Sequence, residues 1–230
     1  MPVSMQDDEQ IHMKRKYNWQ NHFFNFLAVI LGVYLAFFIN EWAKENQDTN
    51  ESLVLMTSLI NDLSEDIIAY EEYQLPTNNQ LNQNVESLLN ALITDNLEGI
   101  GDLITAILSV ENFGPTTSTY SSMKSSGKLR LIEDLTLQKM LTDYYDGLVV
   151  ESIRKGEYQV DFFTNELLTW LTANVDLLEM RLMNKDELMV FKNKLIIYGS
   201  LVDQKVESYE MIVENSRGLK LYIESILESE

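Results

Sequence analysis

The hydrophobic positions along this chain fall into two regimes. From Phe23 to Trp42 the sequence reads FFNFLAVILGVYLAFFINEW, and between Phe23 and Ile39 it holds no charged residue and one strongly polar one, Asn25. A helix of that length spans about 30 Å at 1.5 Å per residue, the thickness of a bilayer's hydrocarbon core. The central helix of a soluble bundle breaks such a run with polar positions at period 3.6. This run is unbroken, so the pattern predicts a transmembrane helix over 23–42. After it the apolar residues become periodic. Leu53, Met56, Ile60, Leu63, Ile67 and Tyr70 recur at steps of three and four, an a/d seam widened by Val54, Leu59 and Ile68. No proline or glycine falls between Ala43 and Leu75. The first helix is therefore predicted to run on through a polar stalk, residues 43–52, into a bundle. It is predicted to end at Leu75-Pro76, because the residue before a proline avoids the α region.

The same periodicity predicts a second helix over about 78–95, with Leu81, Val85, Leu88, Leu89, Leu92 and Ile93 on one face, and a short buried third helix over 102–110. Asn112-Phe113-Gly114-Pro115 reads as a turn. From Leu135 to about Ala173 the chain is helical again and rich in Tyr, Phe and Trp, with Gly147 and Gly156 as possible bends. The last apolar series, Leu188 to Val213, steps by three or four, with Gly199 or Gly218 able to divide it. The fold class expected is all-α: one N-terminal transmembrane helix continuing into an elongated extracytoplasmic helical bundle. Its parts are a tail at 1–22, the span at 23–42 and the outer domain at 43–230, of which 43–75 is stalk and first bundle helix.

Charge orients the span. Lys14, Arg15 and Lys16 precede it, with His12 and His22 nearby, whereas Glu41, Glu45, Asp48 and Glu51 crowd its exit around the single Lys44. Positive charge stays on the cytoplasmic side, which places the N-terminus inside and residues 43–230 outside. No A-x-A-like cleavage site follows the run, so it reads as an uncleaved signal anchor, with Tyr17, Trp19 and Trp42 at the interfaces. Within the span Asn25, Ala28, Gly32, Ala36 and Asn40 share one helical face. Ala28-x3-Gly32-x3-Ala36 is a small-xxx-small pattern that lets two helix backbones approach closely in lipid, and Asn25 can add an interhelical hydrogen bond. The alternative is a plain lipid-facing surface, since Ala and Gly are common in any span.

Composition narrows the chemistry. Of 17 basic residues three precede Trp42, leaving 14; of 36 acidic residues four do, leaving 32, so the outer part carries −18. That sign excludes nucleic acid as a partner, and the plainer reading of the excess acid is solubility. There is no cysteine, and the two histidines, His12 and His22, lie before the span. Thiol chemistry, zinc–thiolate sites and His-based triads are thereby excluded from the outer domain. The pairs Glu71-Glu72, Asp143 with Asp146, and Glu207 with Glu210 lack the oxygen-rich loop of a calcium site, and with so many acids such pairs arise by chance. No catalytic residue, cofactor or metal site is expected.

The most distinctive stretch runs from Thr116 to Asp134. Thr116–Ser118 offer N-caps, Gly127 suits a left-handed C′ position, and Leu129, Leu131 and Ile132 are expected to drop into the core, with Asp134 capping the next helix. Tyr120-x-x-Met123-x-x-Ser126-Gly127-x-Leu129-x-Leu131-Ile132, followed by Leu137 and Tyr144-Tyr145, resembles a motif of an uncharacterised family of bacterial single-pass membrane proteins, a domain of unknown function. Those chains also carry a short basic N-terminus and a span ending in a segment similar to Ile39-Asn40-Glu41-Trp42. The resemblance covers about residues 14–146 and implies a protein of the bacterial inner membrane with its C-terminal domain in the periplasm; it brings no activity.

Two functional classes follow. The first is a membrane-anchored interaction or scaffold protein of the cell envelope, self-associating through the span and binding another envelope protein, with Tyr120–Ile132 as structural motif or partner surface. The second is an extracytoplasmic small-molecule sensor subunit signalling through a partner. The 22-residue tail leaves no room for an output domain, which favours the scaffold. An enzyme is the least expected outcome.

Overall fold

Helix α1, Trp19–Ala69, carries both regimes of the sequence. The computed structural model describes residues 19–179 and 181–229; the basic cluster Lys14–Lys16, His12, Tyr17 and nearly all of the 1–22 tail lie outside the described residues. The chain divides at Asp48/Thr49 into two units. In the first, α1 is long and apolar enough to cross a membrane, and none of its most apolar window is buried. Phe24, Val29, Tyr34 and Phe37 are each more than 60% exposed, the opposite of what a central bundle helix would show.

The second unit begins with the seam of α1. Its buried residues are Ser52, Met56, Leu59, Leu63, Asp66 and Tyr70, so the predicted seam holds at Met56, Leu63 and Tyr70 and shifts by one residue at three places. Ser52, Leu59 and Asp66 are buried where Leu53, Ile60 and Ile67 were expected to lead, Leu59 being one of the positions that widened the seam; Leu53, Ile60 and Ile67 are only half-buried. A stripe of two neighbouring positions per turn cannot be resolved by spacing alone, because 3.6 residues per turn lets either neighbour lead.

Pro76 does not end the helix. The chain widens into a π turn at Tyr70–Gln74 and continues as α2, Leu75–Ile93, with Pro76 in its first turn. Leu75 keeps helical angles, φ −63° and ψ −50°, and its N–H bonds Tyr70 O. The wide turn removes the need for the N–H that proline lacks, and Asn78 Nδ2 donates to the Gln74 carbonyl at 2.7 Å. Along α2, Leu81, Val85, Leu88 and Leu92 are buried as predicted, but Ile93 is 61% exposed.

There follow α3 (Ile100–Ala106), α4 (Ser118–Ser125), a 3₁₀ turn at Lys128–Leu131, α5 (Leu135–Thr142), α6 (Val150–Phe162) and α7 (Leu168–Asn174), with π turns at Asp143–Val149 and Phe163–Leu167. Helix α3 buries one face only, through Ile100 and Ile104. A two-residue antiparallel hairpin, β1 (Val175–Asp176) with β2 (Arg181–Leu182), has no counterpart in the sequence reading; Asp176 Oδ1 closes its turn by accepting from the N–H groups of Leu178 and Glu179 at 3.0 and 3.1 Å. The described residues are 84% helical, which fixes the class as all-α.

Helix α8, Leu188–Leu227, is unbroken over 40 residues, roughly 60 Å at 1.5 Å per residue. Neither Gly199 nor Gly218 interrupts it. It is the spine of two hydrophobic clusters. Phe191, Leu195, Tyr198, Val202 and Val206 pack with α2, α3, α7 and the hairpin. Tyr209, Ile212, Val213, Leu219 and Ile223 pack with α1, α4, α5 and the Tyr144–Val149 turn.

Candidate functional site

The residues from Tyr120 to Ile132 form a joint on the second cluster. Tyr120 and Met123 are 3% and 0% exposed. The Tyr120 ring stacks on Tyr145 at 4.5 Å, and its hydroxyl donates to Asp146 Oδ2 at 2.8 Å. Lys124 Nζ reaches the same oxygen at 2.6 Å. Burial pushes the Tyr120 hydroxyl up, helped by its bond to Asp146, while the Lys124 hydrogen bond holds Asp146 below the usual carboxylate range. Ser126 is exposed and returns its hydroxyl to Ser122 O at 2.7 Å. Gly127 has φ +71°, the left-handed conformation its position predicted.

Two details of this stretch differ from expectation. Only Ile132 is fully buried; Leu129 and Leu131, on the 3₁₀ turn, are half-buried. The N-cap of α4 is Thr117 with no side-chain bond, and the hydroxyl of Thr116 goes to Asp66 instead. Lys128 Nζ meets Glu51 of α1 at 2.6 Å. Asp134 caps α5 as expected, accepting from Leu137 N at 2.8 Å, and also takes the Tyr222 hydroxyl at 3.1 Å.

In the first unit Asn25, Ala28, Gly32, Ala36 and Asn40 are all exposed, and a Cβ at Gly32 would meet nothing within 4 Å. Of the paired carboxylates, Glu71 meets Arg217, Asp143 meets Lys139, and Asp146 meets Lys124 and Tyr120. Among the described residues no three His, Cys, Asp or Glu come together as a metal site. The aromatic residues of 135–173 serve packing: Tyr144, Tyr145, Phe163 and Trp170 are buried, and Trp170 stacks on Phe191 at 4.2 Å. Tyr158 instead borders a surface cleft with Asp146, Arg154 and Lys155.

Sequence reasoning missed two buried charges. Lys205 of α8 has no exposed surface. Its Nζ donates to the Glu111 carbonyl and, at 2.9 Å, to Gln159 Oε1, and stands 5.6 Å from the centre of the Tyr209 ring. Gln159 in turn donates to the Tyr198 hydroxyl at 3.2 Å. Burial lowers Lys205 to about 8, against a smaller opposing pull from Glu111. Asp66 of α1 is 2% exposed and accepts from Thr116 N at 3.0 and 2.9 Å and from Thr116 Oγ1 at 3.0 Å. Burial raises it, although both Thr116 bonds act the other way. Both were legible as charges falling on an apolar stripe: Asp66 lies three residues after Leu63 and four before Tyr70, and Lys205 three after Val202 and four before Tyr209.

A family model matches residues 25–198, most of the chain. The chain belongs to that family, a family of unknown function (DUF6090). The match begins inside the apolar run of α1 and ends at Tyr198, within α8, so it takes in the joint, the Asp66 contact and the whole first cluster up to mid-α8. It starts after the basic cluster at 14–16 and runs on past Asp146 to Tyr198. No curated protein and no solved structure matches the chain.

Proposed function

We propose that this member of the family is a single-pass, membrane-anchored helical interaction or scaffold protein of the bacterial cell envelope, not an enzyme. Its N-terminus is cytoplasmic, residues 43–230 are periplasmic, and it self-associates through the Asn25–Asn40 face. The observation that supports the anchor is the uniformly exposed apolar stretch of α1, which water solvates poorly and lipid solvates well. The charge asymmetry around it supports the orientation. What supports an interaction role is the large excess of acid that the outer part carries, −18 by formal charge. The outer part would then engage an envelope protein whose contact surface tolerates or complements that charge.

The test is fractionation followed by protease access. The protein should stay in the membrane pellet after carbonate washing, and protease added to spheroplasts should remove the part after Trp42. Release by carbonate would defeat the anchor; full protection of the C-terminus in intact spheroplasts would reverse the orientation.

A further inference from the structure

Between α3 and α4 the chain crosses from the first hydrophobic cluster to the second. Ile107, Leu108 and Val110 belong to one and Phe113 to the other. The crossing, residues 111–116, is pinned at almost every step. Glu111 O takes the Lys205 ammonium. Asn112 lies against Gly156 so closely that a Cβ there would fall 1.9 Å from Asn112 Oδ1. Phe113 N and O both meet the Tyr209 hydroxyl at 3.4 Å. Thr116 gives its N–H and hydroxyl to Asp66. The pins come from α1, α6 and α8.

Two of these pins are buried full charges, of opposite sign, at opposite ends of the segment, and neither is in an ion pair among the described residues. Each makes its direct hydrogen bonds to neutral groups only. A buried charge so held carries a desolvation cost that exposure relieves. The buried polar atoms left without a partner, Asp62 Oδ2, Tyr70 Oη, Gln74 Oε1, Tyr145 Oη and Trp170 Nε1, all lie off this segment.

We propose that residues 111–116 are a charge-loaded strap: they undock as a unit from α1, α6 and α8 while both hydrophobic clusters stay packed, and undocking returns Lys205 and Asp66 to water. A two-state element of this kind is what a binding partner can bias.

The direction of its pH response follows from what faces each charge. Around Lys205 stand Glu111 on the strap, Gln159 on α6, and Tyr198 and Tyr209 on α8. Around Asp66 stand Asp62 and Glu65 on α1, Tyr70 after it, Tyr144 and Tyr145 from the Asp143–Val149 turn, and Thr116. Docked Lys205 loses its proton near 8, earlier than when free, so docking strengthens as pH rises past that value. Docked Asp66 holds its proton to higher pH than when free, so docking strengthens again in mild acid. The strap is loosest around neutrality.

Hydrogen exchange of the full chain in detergent micelles, read by mass spectrometry and corrected for intrinsic rates, tests this. At about pH 7 peptides covering 111–116 should exchange at least about tenfold faster than those of α8 around Leu195–Val213. Protection should rise towards about pH 9 and again in acid, and Asp66→Asn should abolish the acid-side rise. Thr116→Val, which removes the hydroxyl donor to Asp66, should speed exchange in the strap about tenfold or more and leave α8 and the helical circular dichroism unchanged. The proposal is overturned if strap and α8 exchange together in the parent, if Thr116→Val leaves the strap as it was, or if that variant loses protection everywhere at once.

Discussion

Lys205 makes a stability prediction of unusual sign. Lowering a lysine from 10.5 to about 8 corresponds to about 3 kcal/mol held against the fold at neutral pH. A group whose folded-state value lies below its unfolded value binds fewer protons when folded, so stability rises with pH between the two values. By pH 9 about 1.3 kcal/mol of the cost should be recovered. Tyr70, Tyr144, Tyr145, Tyr198 and Tyr209 oppose it, because burial raises each of them, Tyr198 and Tyr209 to about 12. The unfolded chain then ionises tyrosine first, and stability falls. That loss is only about 0.1 kcal/mol per tyrosine at pH 9 but about 0.4 at pH 10, where the gain is largely cancelled. The result is a stability maximum near pH 9, about 1 kcal/mol above the neutral value. Urea unfolding of the full chain in micelles, followed at 222 nm at several pH values, measures it. Lys205→Met keeps the volume and removes the charge, leaving the Glu111 carbonyl and Gln159 Oε1 without a donor. At pH 7 these changes oppose each other and the variant should lie within about 2 kcal/mol of the parent. Its stability should then fall from neutrality onward with no maximum. A parent whose stability declines steadily from pH 7 in parallel with Lys205→Met would refute the reasoning.

Gly127→Val should cost roughly 1–2 kcal/mol or more, because a β-branched residue is strained at φ +71°; for a unit of this size that lowers the melting temperature by roughly 2–8 °C. Gly218→Val should be near neutral, for a different reason from a loose helix end: Leu219 and Ile223 beside it are buried, but Gly218 itself faces open space within α8. If Gly127→Val melts with the parent, the joint is not structural. Leu59→Ala should cost about 2–5 kcal/mol and Ile60→Ala much less, since Leu59 is fully buried and Ile60 is not; equal losses would restore the original seam. Gly32→Leu should reduce crosslinked oligomer in membranes by wedging the Ala28–Ala36 faces apart, and unchanged crosslinking would make that face a lipid-facing one.

The sequence alone determined what depends on local pattern. An uninterrupted apolar run of bilayer length is a property of consecutive residues, and so is the three-and-four stepping that made the chain all-helical. Gly127 and Asp134 were legible for the same reason: a left-handed stop and an N-cap are satisfied within a few residues of themselves. Tertiary structure decided the rest. Pro76 stays inside a helical stretch because a π turn five residues wide absorbs its missing donor. Gly199 and Gly218 stay helical because the helix around them is held by two clusters, whose burial outweighs the roughly 1 kcal/mol that glycine costs a helix. Asp66 and Lys205 are buried because groups 50 and 94 positions away, Thr116 N–H and the Glu111 carbonyl, come to meet them. Charge burial depends on partners distant in sequence, and periodicity carries no record of those.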